Sequence, residues 1–391
     1  MATAVDLARR LAVARGAEPA DLVIRGGRVL CVFTREWLDA DIAVVDDVVA
    51  GLGRYEGRET IDAAGRRVVP GLVDPHLHIE SSKLLIDEFA RLVLPLGTTA
   101  VVADPHEIAN VLGTDGVHWL LDAAAGLPLD VYFMASSCIP ASRFESPRRE
   151  LSTGDLEGLL RRRHVLGLAE LMNFPGVVAG DEAELAKLRL AHHIDGHAPG
   201  LGGLALNAYA AAGIGSDHEA ATLEEGRERL RAGLWLLIRE GSSARNLRAL
   251  APLVGAYGPA RMAFCTDDRE PEHIADDGHV NAIVRDAVAL GVPAEDAIVL
   301  ASLNPATYHG LSGLGAIAPG RRADIVLLDS DHPDLALRRN DEWLDAWIFV
   351  GRPAVRTVLV GGEIVVENGR HIAQPAIESR YRAVVAALRA S

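Results

Sequence analysis

The stretch RRVVPGLVDPHLHIESS, residues 66–82, places two histidines, His76 and His78, directly after an apolar run. Alternate side chains of an extended segment face the same way, so both imidazoles can bind one metal ion. An isolated HxH pattern is weak support for a metal site, because the two histidines can be incidental. The pattern supports a metal site only if the fold places other candidate ligands next to these two histidines.

Downstream of this stretch, short apolar runs alternate with helical patterns, as in a chain of βα units. This alternation predicts an α/β fold, a (β/α)8 TIM-like barrel of about 250 residues. Helical patterns separate most of the candidate strands. The eight candidate strands lie at residues 66–74, 98–104, 130–136, 165–171, 190–196, 211–217, 232–238 and 261–267.

Both ends of the chain carry shorter β-rich pieces separated by glycine and acidic turns, at residues 21–68, 323–329 and 354–369. Such pieces are typical of the small strands of a sandwich, so we expect the N- and C-terminal segments to form one β-sandwich domain. The predicted divisions are 1–68 for an N-terminal helix and part of the sandwich, 69–318 for the metal-dependent barrel, and 319–391 for the rest of the sandwich and the C-terminal tail.

Six histidines and acids stand at the ends of candidate strands. In such a barrel the carboxyl ends of the strands meet at one mouth, where the chemistry takes place. Two cations held close together need a shared anionic ligand to offset their repulsion. The pattern predicts a two-metal hydrolase with a shared carboxylate. The candidate ligands are His76 and His78 after the first strand, Glu170 in the fourth, His197 after the fifth, His218 after the sixth and Asp267 at the end of the eighth.

Each of these positions has a second interpretation. The cation that Glu170 needs in its apolar strand could be an arginine at the rim instead of a metal. His197 and His218, taken singly, are typical of buried or capping histidines. Asp267 is favoured as the residue that takes a proton from water and passes it to the leaving amine. Asp268 competes with it, because a one-residue shift exchanges the inward-facing carboxylate.

A further polar group follows the second candidate strand in ADPHEIANVLG, residues 103–113. Asp104 and Glu107 could cap the next helix, or could contact substrate and orient the ligands. The candidate substrate-binding residues are Glu80, His106, Glu107 and Asp268. No role is assigned to His193, His279, Ser81 or Ser82.

Charge and composition exclude several classes of function. The formal net charge of −15 disfavours nucleic acid and anionic membranes as partners. Residues 1–19 have an amphipathic helical pattern unlike a signal peptide, and no apolar stretch reaches the roughly 18 residues of a membrane span. Three widely spaced cysteines are typical of reduced thiols, so we expect a cytoplasmic protein. The GxSxG elbow, the P-loop and the P-C-x-x-C of small zinc deaminases are missing.

Long consecutive stretches of the chain carry a family signal. They are PGLVDPHLHIESS (70–82), LPLGTTAVVADPHEIANVLG (94–113), LGLAELMNFPGVV (166–178), IDGHAPGL (194–201), LNAYAAAGIGSDHEA (206–220), FCTDDR (264–269) and LNPATYHGLSGLGAIAPGRRADIVLLD (303–329). Through them the chain resembles the adenine deaminases of the amidohydrolase superfamily, over about residues 20 to 370.

This resemblance implies a two-metal site, often of iron or manganese, that hydrolyses adenine to hypoxanthine and ammonia. The six candidate ligands fall on the superfamily's ligand positions, and Glu170 stands where other members place a bridging lysine carbamate. The resemblance also implies a short form, since adenine deaminases usually continue into a further C-terminal domain that this sequence does not show.

We therefore predict a metal-dependent hydrolytic deaminase of an aminopurine, with adenine first, in which a metal-bridging hydroxide attacks the ring carbon. Glu170 and Asp267 are the candidate catalytic residues. The expected cofactors are two divalent ions of manganese, iron or zinc, and the expected partners are a purine base and a second copy of the chain. One alternative is an amidohydrolase acting on another amino-heterocycle or a cyclic amide, because fold and metals do not fix the substrate. The other is a catalytically inactive barrel that serves as a binding protein.

Overall fold

A computed structural model describes residues 7–141, 144–147, 149–328 and 355–390 of the chain. Two β structures organise these residues: a ring of parallel strands and a mixed sheet built from both ends of the chain. Among the described helices, none combines the length and the apolar character that crossing a membrane requires.

The strands fall into three groups along the chain. The first group is β1 (Ala20–Cys31), β2 (Glu36–Val45), β3 (Val48–Gly53), β4 (Gly57–Asp62) and β5 (Arg67–Pro70). The second is β6 (Leu72–Leu77), β7 (Thr98–Ala103), β8 (Asp130–Ala135), β9 (Val165–Leu171), β10 (Ile194–Gly196), β11 (Ser216–Asp217), β12 (Trp235–Arg239) and β13 (Met262–Cys265). The third is β14 (Ile325–Leu328), β15 (Val355–Val360), β16 (Glu363–Glu367) and β17 (Arg370–His371).

Helices follow most of the strands of the second group, and two further helices lie near the ends of the chain. The helices of the described residues are α1 (Leu7–Ala14), α2 (Ile86–Val93), α3 (His106–Leu112), α4 (Thr114–Ala123), α5 (Thr153–Leu160), α6 (Phe174–Ala179), α7 (Glu182–Leu188), α8 (Gly203–Ala211), α9 (Leu223–Arg231), α10 (Leu247–Tyr257), α11 (Pro271–Asp276), α12 (Val280–Ala289), α13 (Ala294–Leu300), α14 (Leu303–Tyr308) and α15 (Gln374–Ala390).

The first and third groups of strands form the mixed sheet, in the order β17-β16-β15-β14-β5-β1-β2-β3 with β4 beside β1. The sheet folds over on itself, because Val48 in β3 pairs with Arg322, just before β14. Its enclosed face is apolar and includes Ile24, Ile42 and Leu359. The prediction that the two ends of the chain share one small β domain is confirmed. The boundaries at 68/69 and 318/319 stay predictions, and the predicted strand residues Asp329 and Ala354 lie outside the described residues.

The second group forms the barrel. Strands β6 to β10 make one parallel sheet and β11 to β13 make another. The Gly215 amide donates to the Ile194 carbonyl at 2.9 Å and joins the two sheets at one seam. At the other seam Leu77 pairs with Asp267. The eight strands therefore close into a ring, and the predicted (β/α)8 barrel is confirmed.

The first predicted strand, 66–74, is divided between the two domains. Residues Arg67–Pro70 pair with β1 and β14, whereas Leu72–Leu77 begin the barrel. The chain changes sheet at Gly71, where a Cβ atom would lie 2.1 Å from Thr99 Oγ1. Only glycine allows this close approach, so the break is set by a tertiary contact and not by the apolar run.

Two predicted strands are shorter than expected. The fifth was expected at 190–196, but β10 is limited to Ile194–Gly196. The sixth was expected at 211–217, but α8 continues to Ala211 and β11 contains Ser216–Asp217 alone. The apolar residues between the end of α8 and the start of β11 form the helix end and a turn at Gly213, whose φ is 95°. An apolar run alone does not distinguish a helix end from a strand.

Residues 303–314, which we call the floor segment, close the amino-terminal side of the barrel. Ala306 and Leu314 pack against Val73 and Ala100 of the first two barrel strands. Tyr308 packs against the interior side chains of β12 and β13. The floor segment therefore lies beneath the mouth, with the barrel interior between them.

Candidate metal centre

The six predicted ligands converge at the carboxyl ends of the barrel strands. Each of them ends a strand or follows one closely, and all except His197 are nearly fully buried. They are His76 in β6, His78 after it, Glu170 in β9, His197 after β10, His218 after β11 and Asp267 after β13.

Glu170 stands at the centre of the group, and its two carboxylate oxygens face different imidazoles. Oε1 lies 3.5 Å from His78 Nε2 and 3.3 Å from His106 Nδ1. Oε2 lies 2.8 Å from His197 Nδ1 and 3.3 Å from His218 Nε2. Burial alone would raise the pKa of Glu170, but the imidazoles of His106, His197 and His218 hold the pKa well below its usual range. The carboxylate is therefore anionic and shared by two sets of donors.

Asp267 faces the other side of the group. Its Oδ1 lies 3.4 Å from His76 Nε2 and 3.2 Å from His78 Nε2. Its φ is 54°, a left-handed conformation that is uncommon for a residue other than glycine. Two backbone bonds impose it, since the Asp267 amide donates to the His76 carbonyl at 3.0 Å and the His78 amide donates to the Asp267 carbonyl at 3.3 Å. Strained backbone of this kind persists only where the surroundings fix it, often at functional sites.

The ring orientation of His78 is fixed from behind. Its Nδ1 lies 2.9 Å from the Asp104 carbonyl, which can only accept, so Nδ1 carries the proton. In the neutral ring, Nε2 carries the lone pair and faces the carboxylates of Glu170 and Asp267, so a proton or a metal cation can bind there. Burial opposes protonation of His78, yet Asp267 and Glu170 raise its pKa to about 10. The surrounding negative charge therefore favours an added positive charge between these groups.

The donor set fits divalent metal ions. Buried His76 Nε2 and His218 Nδ1 have no hydrogen-bond partner among the described residues, which is costly unless a ligand is bound. Imidazoles and carboxylates suit zinc, iron and manganese. Three groups have ligand atoms within 4.8 Å of one another: His76, His218 and Asp267; Glu170, His197 and His218; and His78, Asp104, His106 and Glu170.

His106 was predicted to bind substrate, but the third of these groups places it directly beside the predicted metal ligands His78 and Glu170. His106 Nδ1 lies 3.3 Å from Asp104 Oδ2 as well as 3.3 Å from Glu170 Oε1. Asp104 also accepts from Ser136 Oγ at 2.6 Å, and the helix α3 has no side-chain cap. Asp104 therefore contacts the residues around the ligands and does not cap the helix.

The remaining predicted substrate contacts form an acidic arc at the mouth. Ser81 Oγ donates to Asp268 and lies 3.3 Å from Glu107 Oε1. Glu80 Oε1 accepts from the Ile108 amide at 3.1 Å. The other oxygens, Glu80 Oε2 and Glu107 Oε2, are buried without a hydrogen-bond partner among the described residues. The arc therefore offers free acceptors, and Ser81, which had no predicted role, links its members.

Asp268 also borders a cavity of about 500 Å³ beside the ligands. The cavity is lined by Ser81, Lys83, Ser242, Ser243, Asp268, Glu270 and His273. The carboxylate of Asp268 thus faces the mouth, whereas that of Asp267 faces the imidazoles, which distinguishes the two neighbouring acids by position.

Two residues that the sequence did not single out complete the group. Arg239, the last residue of β12, places Nη1 2.6 Å from Glu219 Oε1 and 2.8 Å from Asp267 Oδ2. Glu219 Oε1 lies 3.4 Å from both His197 Nδ1 and His218 Nε2. Arg239 directly follows the apolar run of the seventh strand, so its strand-end position was a usable signal. It was missed because an arginine is not a metal ligand.

The other residues without a predicted role lie deeper in the structure. His279 is buried, with Nδ1 3.1 Å from Thr98 Oγ1 and Nε2 3.4 Å from Asp74 Oδ2. Ser82 Oγ donates to the Ile79 carbonyl at 2.6 Å. Neither side chain reaches the ligand atoms, so both are structural in this arrangement.

Sequence comparison finds relatives over most of the chain. A model described as the amidohydrolase family matches residues 67–365. An adenine deaminase of Methylobacterium nodulans is 51% identical over 327 residues, which cover 83% of this chain and 58% of that protein. One of Archaeoglobus fulgidus is 48% identical over 322 residues, which cover 82% of this chain and 57% of that protein. The predicted resemblance is confirmed, although the chain spans little more than half the length of these curated relatives.

Solved structures share the fold at low sequence identity. A triazine hydrolase variant has a TM-score of 0.67 and 18% identity, with 93% of this chain and 99% of that chain covered. An adenosine deaminase from Xanthomonas campestris with bound zinc has a TM-score of 0.59 and 16% identity, with 96% of this chain and 100% of that chain covered. At such identities these matches concern the arrangement of barrel and sheet alone.

Proposed function

The chain belongs to the amidohydrolase family, and we propose that it is a metal-dependent hydrolase that deaminates an aminopurine, with adenine and water giving hypoxanthine and ammonia. The choice of adenine is supported by curated adenine deaminases that are about half identical to the chain. The chemistry is supported by the metal centre, whose residues are taken in turn below.

One observation carries the proposal: the two oxygens of Glu170 face two different sets of imidazoles. A carboxylate in this position can bridge two cations and offset their mutual repulsion. We propose that His76, His78 and Asp267 would hold one cation and that His197 and His218 would hold the other, with His218 close enough to His76 and Asp267 to contribute to either. Two divalent ions of manganese, iron or zinc, when bound, lower the pKa of water and polarise the substrate.

Asp267 is the proposed proton carrier of the reaction. Its Oδ2 is held by Arg239 at 2.8 Å, so Oδ1 is the oxygen that faces the reacting centre. A carboxylate fixed in this way can take a proton from the attacking water and give it to the departing amine. Breaking the C–N bond then releases ammonia. Asp268, which faces the cavity and Ser81, is assigned to substrate contact instead.

The acidic arc is the proposed recognition surface for the purine ring. The free oxygens of Glu80 and Glu107 can accept hydrogen bonds from ring N–H groups. His106, which reaches from Glu170 toward the arc, can contact a ring nitrogen on the same side. Several carboxylates at one mouth repel a phosphate, so a free base is a better substrate than a nucleotide.

Ammonia release from adenine by the manganese-loaded protein tests the proposal. We expect turnover in the wild type and a loss of about 10²–10³-fold or more in Glu170→Gln, which removes the shared charge. Glu225→Gln is the matched control, because Glu225 lies in the capping box of α9 and glutamine also serves there. Turnover that persists in Glu170→Gln would remove the shared carboxylate from the mechanism.

The same experiment separates the two alternatives. A wild type that binds two manganese ions but releases no ammonia from adenine would indicate another amino-heterocycle or a cyclic amide as the substrate. A wild type that neither binds manganese nor hydrolyses any of these compounds would indicate an inactive barrel that serves as a binding protein. Homodimer formation and a cytoplasmic location stay predictions, and the first is checked by light scattering of the purified protein.

A further inference from the structure

Within the part of the chain that the structure describes, the polar contacts of the floor segment lead toward the metal centre beside His76, through Asp195 and Pro75. We propose that Tyr308 and His309, two consecutive residues of this segment, position His76 for metal binding, Tyr308 through the carboxylate of Asp195 and His309 through the carbonyl of Pro75. The inference rests on the proposed metal centre. It gives a role to the LNPATYHGLSGLG stretch, which the ligand set and the acidic arc do not use.

Asp195 in β10 forms the side-chain arm. It is fully buried, and its Oδ1 accepts from the Tyr308 hydroxyl and from Ser216 Oγ, the latter at 3.4 Å. Its Oδ2 has no hydrogen-bond partner among the described residues and lies 3.7 Å from His76 Nδ1. A carboxylate behind a metal-binding imidazole fixes the tautomer, so that the opposite nitrogen keeps its lone pair for the metal. Here that nitrogen is His76 Nε2, which faces Asp267.

His309 forms the backbone arm. Its Nε2 lies 2.7 Å from the Pro75 carbonyl, which can only accept, so Nε2 carries the proton. Its Nδ1 then accepts from His193 Nε2 at 2.9 Å. Burial lowers the pKa of His309 to about 4, which keeps the ring in the neutral form that this arrangement requires. The bond fixes the peptide group directly before His76.

The other ligands are held by different means. His78 is oriented by the Asp104 carbonyl, and the His197 amide donates to the Tyr209 hydroxyl at 2.9 Å. Neither support involves the floor segment. Damage to the floor contacts should therefore weaken one cation, the one bound by His76, and leave the cation bound by His197 in place.

Titration of the metal-free protein with Mn²⁺, followed by calorimetry and by the electron paramagnetic resonance of free Mn²⁺, tests this inference. We expect two binding steps in the wild type. In Asp195→Ala, one step should weaken by about 10–100-fold, with a smaller loss in Tyr308→Phe. Asp195→Asn keeps an oxygen that can accept from His76 Nδ1, so it should restore part of the affinity. Tyr55→Phe is the matched control, because that hydroxyl donates to the Ala14 carbonyl at 3.0 Å in the terminal sheet domain.

The outcomes separate this inference from the proposed function. A wild type that binds no Mn²⁺ would overturn the proposed metal centre and this inference with it. Two wild-type steps that are unchanged in both Asp195→Ala and Tyr308→Phe would overturn the positioning role alone. Equal weakening of both steps together with a lower unfolding temperature of the metal-free protein would indicate a structural role, and would also overturn it. If Asp195→Ala does not fold, Asp195→Asn and Tyr308→Phe keep the shape of the site and decide the question.

Discussion

Asp217 and His218 are neighbours at the end of β11, and both are fully buried, yet their polar atoms are satisfied very differently. Asp217 accepts from Arg229 Nε at 2.8 Å and from the Ala198 amide at 2.9 Å. Arg229 also donates to the carbonyls of Leu201 and Ala198, at 2.6 and 2.7 Å. His218, on the opposite face of the strand, leaves Nδ1 without a hydrogen-bond partner among the described residues.

Asp217 and Arg229 are a buried pair that stabilises the fold. His218 is a buried polar side chain with an atom that is available to bind a ligand. An unsatisfied buried polar group costs about 1–3 kcal/mol, so a folded chain rarely keeps several of them close together. His76 Nε2 and His218 Nδ1 are nevertheless both unsatisfied, on two rings whose centroids lie 4.3 Å apart. The pair of Asp217 and Arg229 shows that this chain can satisfy buried charges fully, so the unsatisfied atoms at the mouth support the proposal that a ligand binds there.

Breaking the satisfied pair should have the largest effect on stability. Arg229→Met leaves Asp217 buried without its cation, and we expect a loss of about 3–5 kcal/mol in the free energy of unfolding, measured by urea denaturation. Arg227→Met on the same helix is the control, because Arg227 pairs with Glu224 at the surface and such pairs contribute about 0–1 kcal/mol. Equal losses in the two variants would show that the burial of the first pair has no special weight.

Binding of manganese at the metal centre should have the next largest effect on the free energy of unfolding. Manganese at 100 to 1,000 times its dissociation constant should stabilise the wild type by about 2.7–4.1 kcal/mol, because a ligand of the native state shifts the unfolding equilibrium. Chelation with EDTA should reverse the gain. Glu170→Gln should lose most of it, whereas Arg227→Met should keep it. A full gain in Glu170→Gln, measured by thermal unfolding with and without manganese, would contradict the shared role of that carboxylate.

Arg239 combines features of both regions. It is paired with Glu219 and Asp267, as Arg229 is paired with Asp217, but it lies against the predicted metal ligands. Arg239→Gln should lower kcat/KM for adenine by about 10–100-fold, or about 1.4–2.7 kcal/mol, because Asp267 loses the donor that fixes its Oδ2. Arg239→Lys should restore little, since an ammonium cannot reproduce the forked contact with both acids. Arg245→Gln is the control, because Arg245 Nε donates to the Gly241 carbonyl and contacts neither acid. Unchanged kcat/KM in Arg239→Gln would limit Arg239 to a structural role.

The positions of the predicted ligands could be derived from the sequence because each depends on local information. An apolar run identifies a strand, and a barrel brings the carboxyl ends of its strands together. The structure places His76, Glu170 and Asp267 at one mouth for this reason. The same rule would have selected Arg239 if residue types other than metal ligands had been considered at the strand ends.

The supports of the ligands could not be derived in this way, because they join residues that are distant in the chain. Tyr308 contacts Asp195 across 113 residues, and His309 contacts Pro75 across 234 residues. No local pattern specifies such pairs. The break of the first predicted strand at Gly71 is likewise set by a contact with Thr99 of the next strand. The apolar run was therefore predicted as one strand, although its two halves belong to different sheets.

The smallest expected effect belongs to an exposed charge cluster at the start of α5. Asp155 Oδ2 accepts from the Ser152 amide at 2.9 Å, and Arg149 Nη1 donates to the same carboxylate at 2.8 Å. Asp155→Ala removes this capping box and should cost about 1 kcal/mol of unfolding free energy at pH 7. The hydrogen bond from Arg149 lowers the pKa of Asp155 in the folded state.

This contribution should depend on pH in a defined direction. A carboxyl whose folded pKa is lowered stabilises the protein above its unfolded pKa, about 3.9, and loses that contribution as pH falls toward the folded value. The difference between wild type and Asp155→Ala should therefore shrink between pH 5 and pH 3. Urea denaturation of the two proteins at several pH values measures it. If the stability difference caused by Asp155→Ala stays constant with pH, the charge of Asp155 does not contribute to the stability of α5. In that case charge stabilises the buried pair of Asp217 and Arg229 but not this exposed cap.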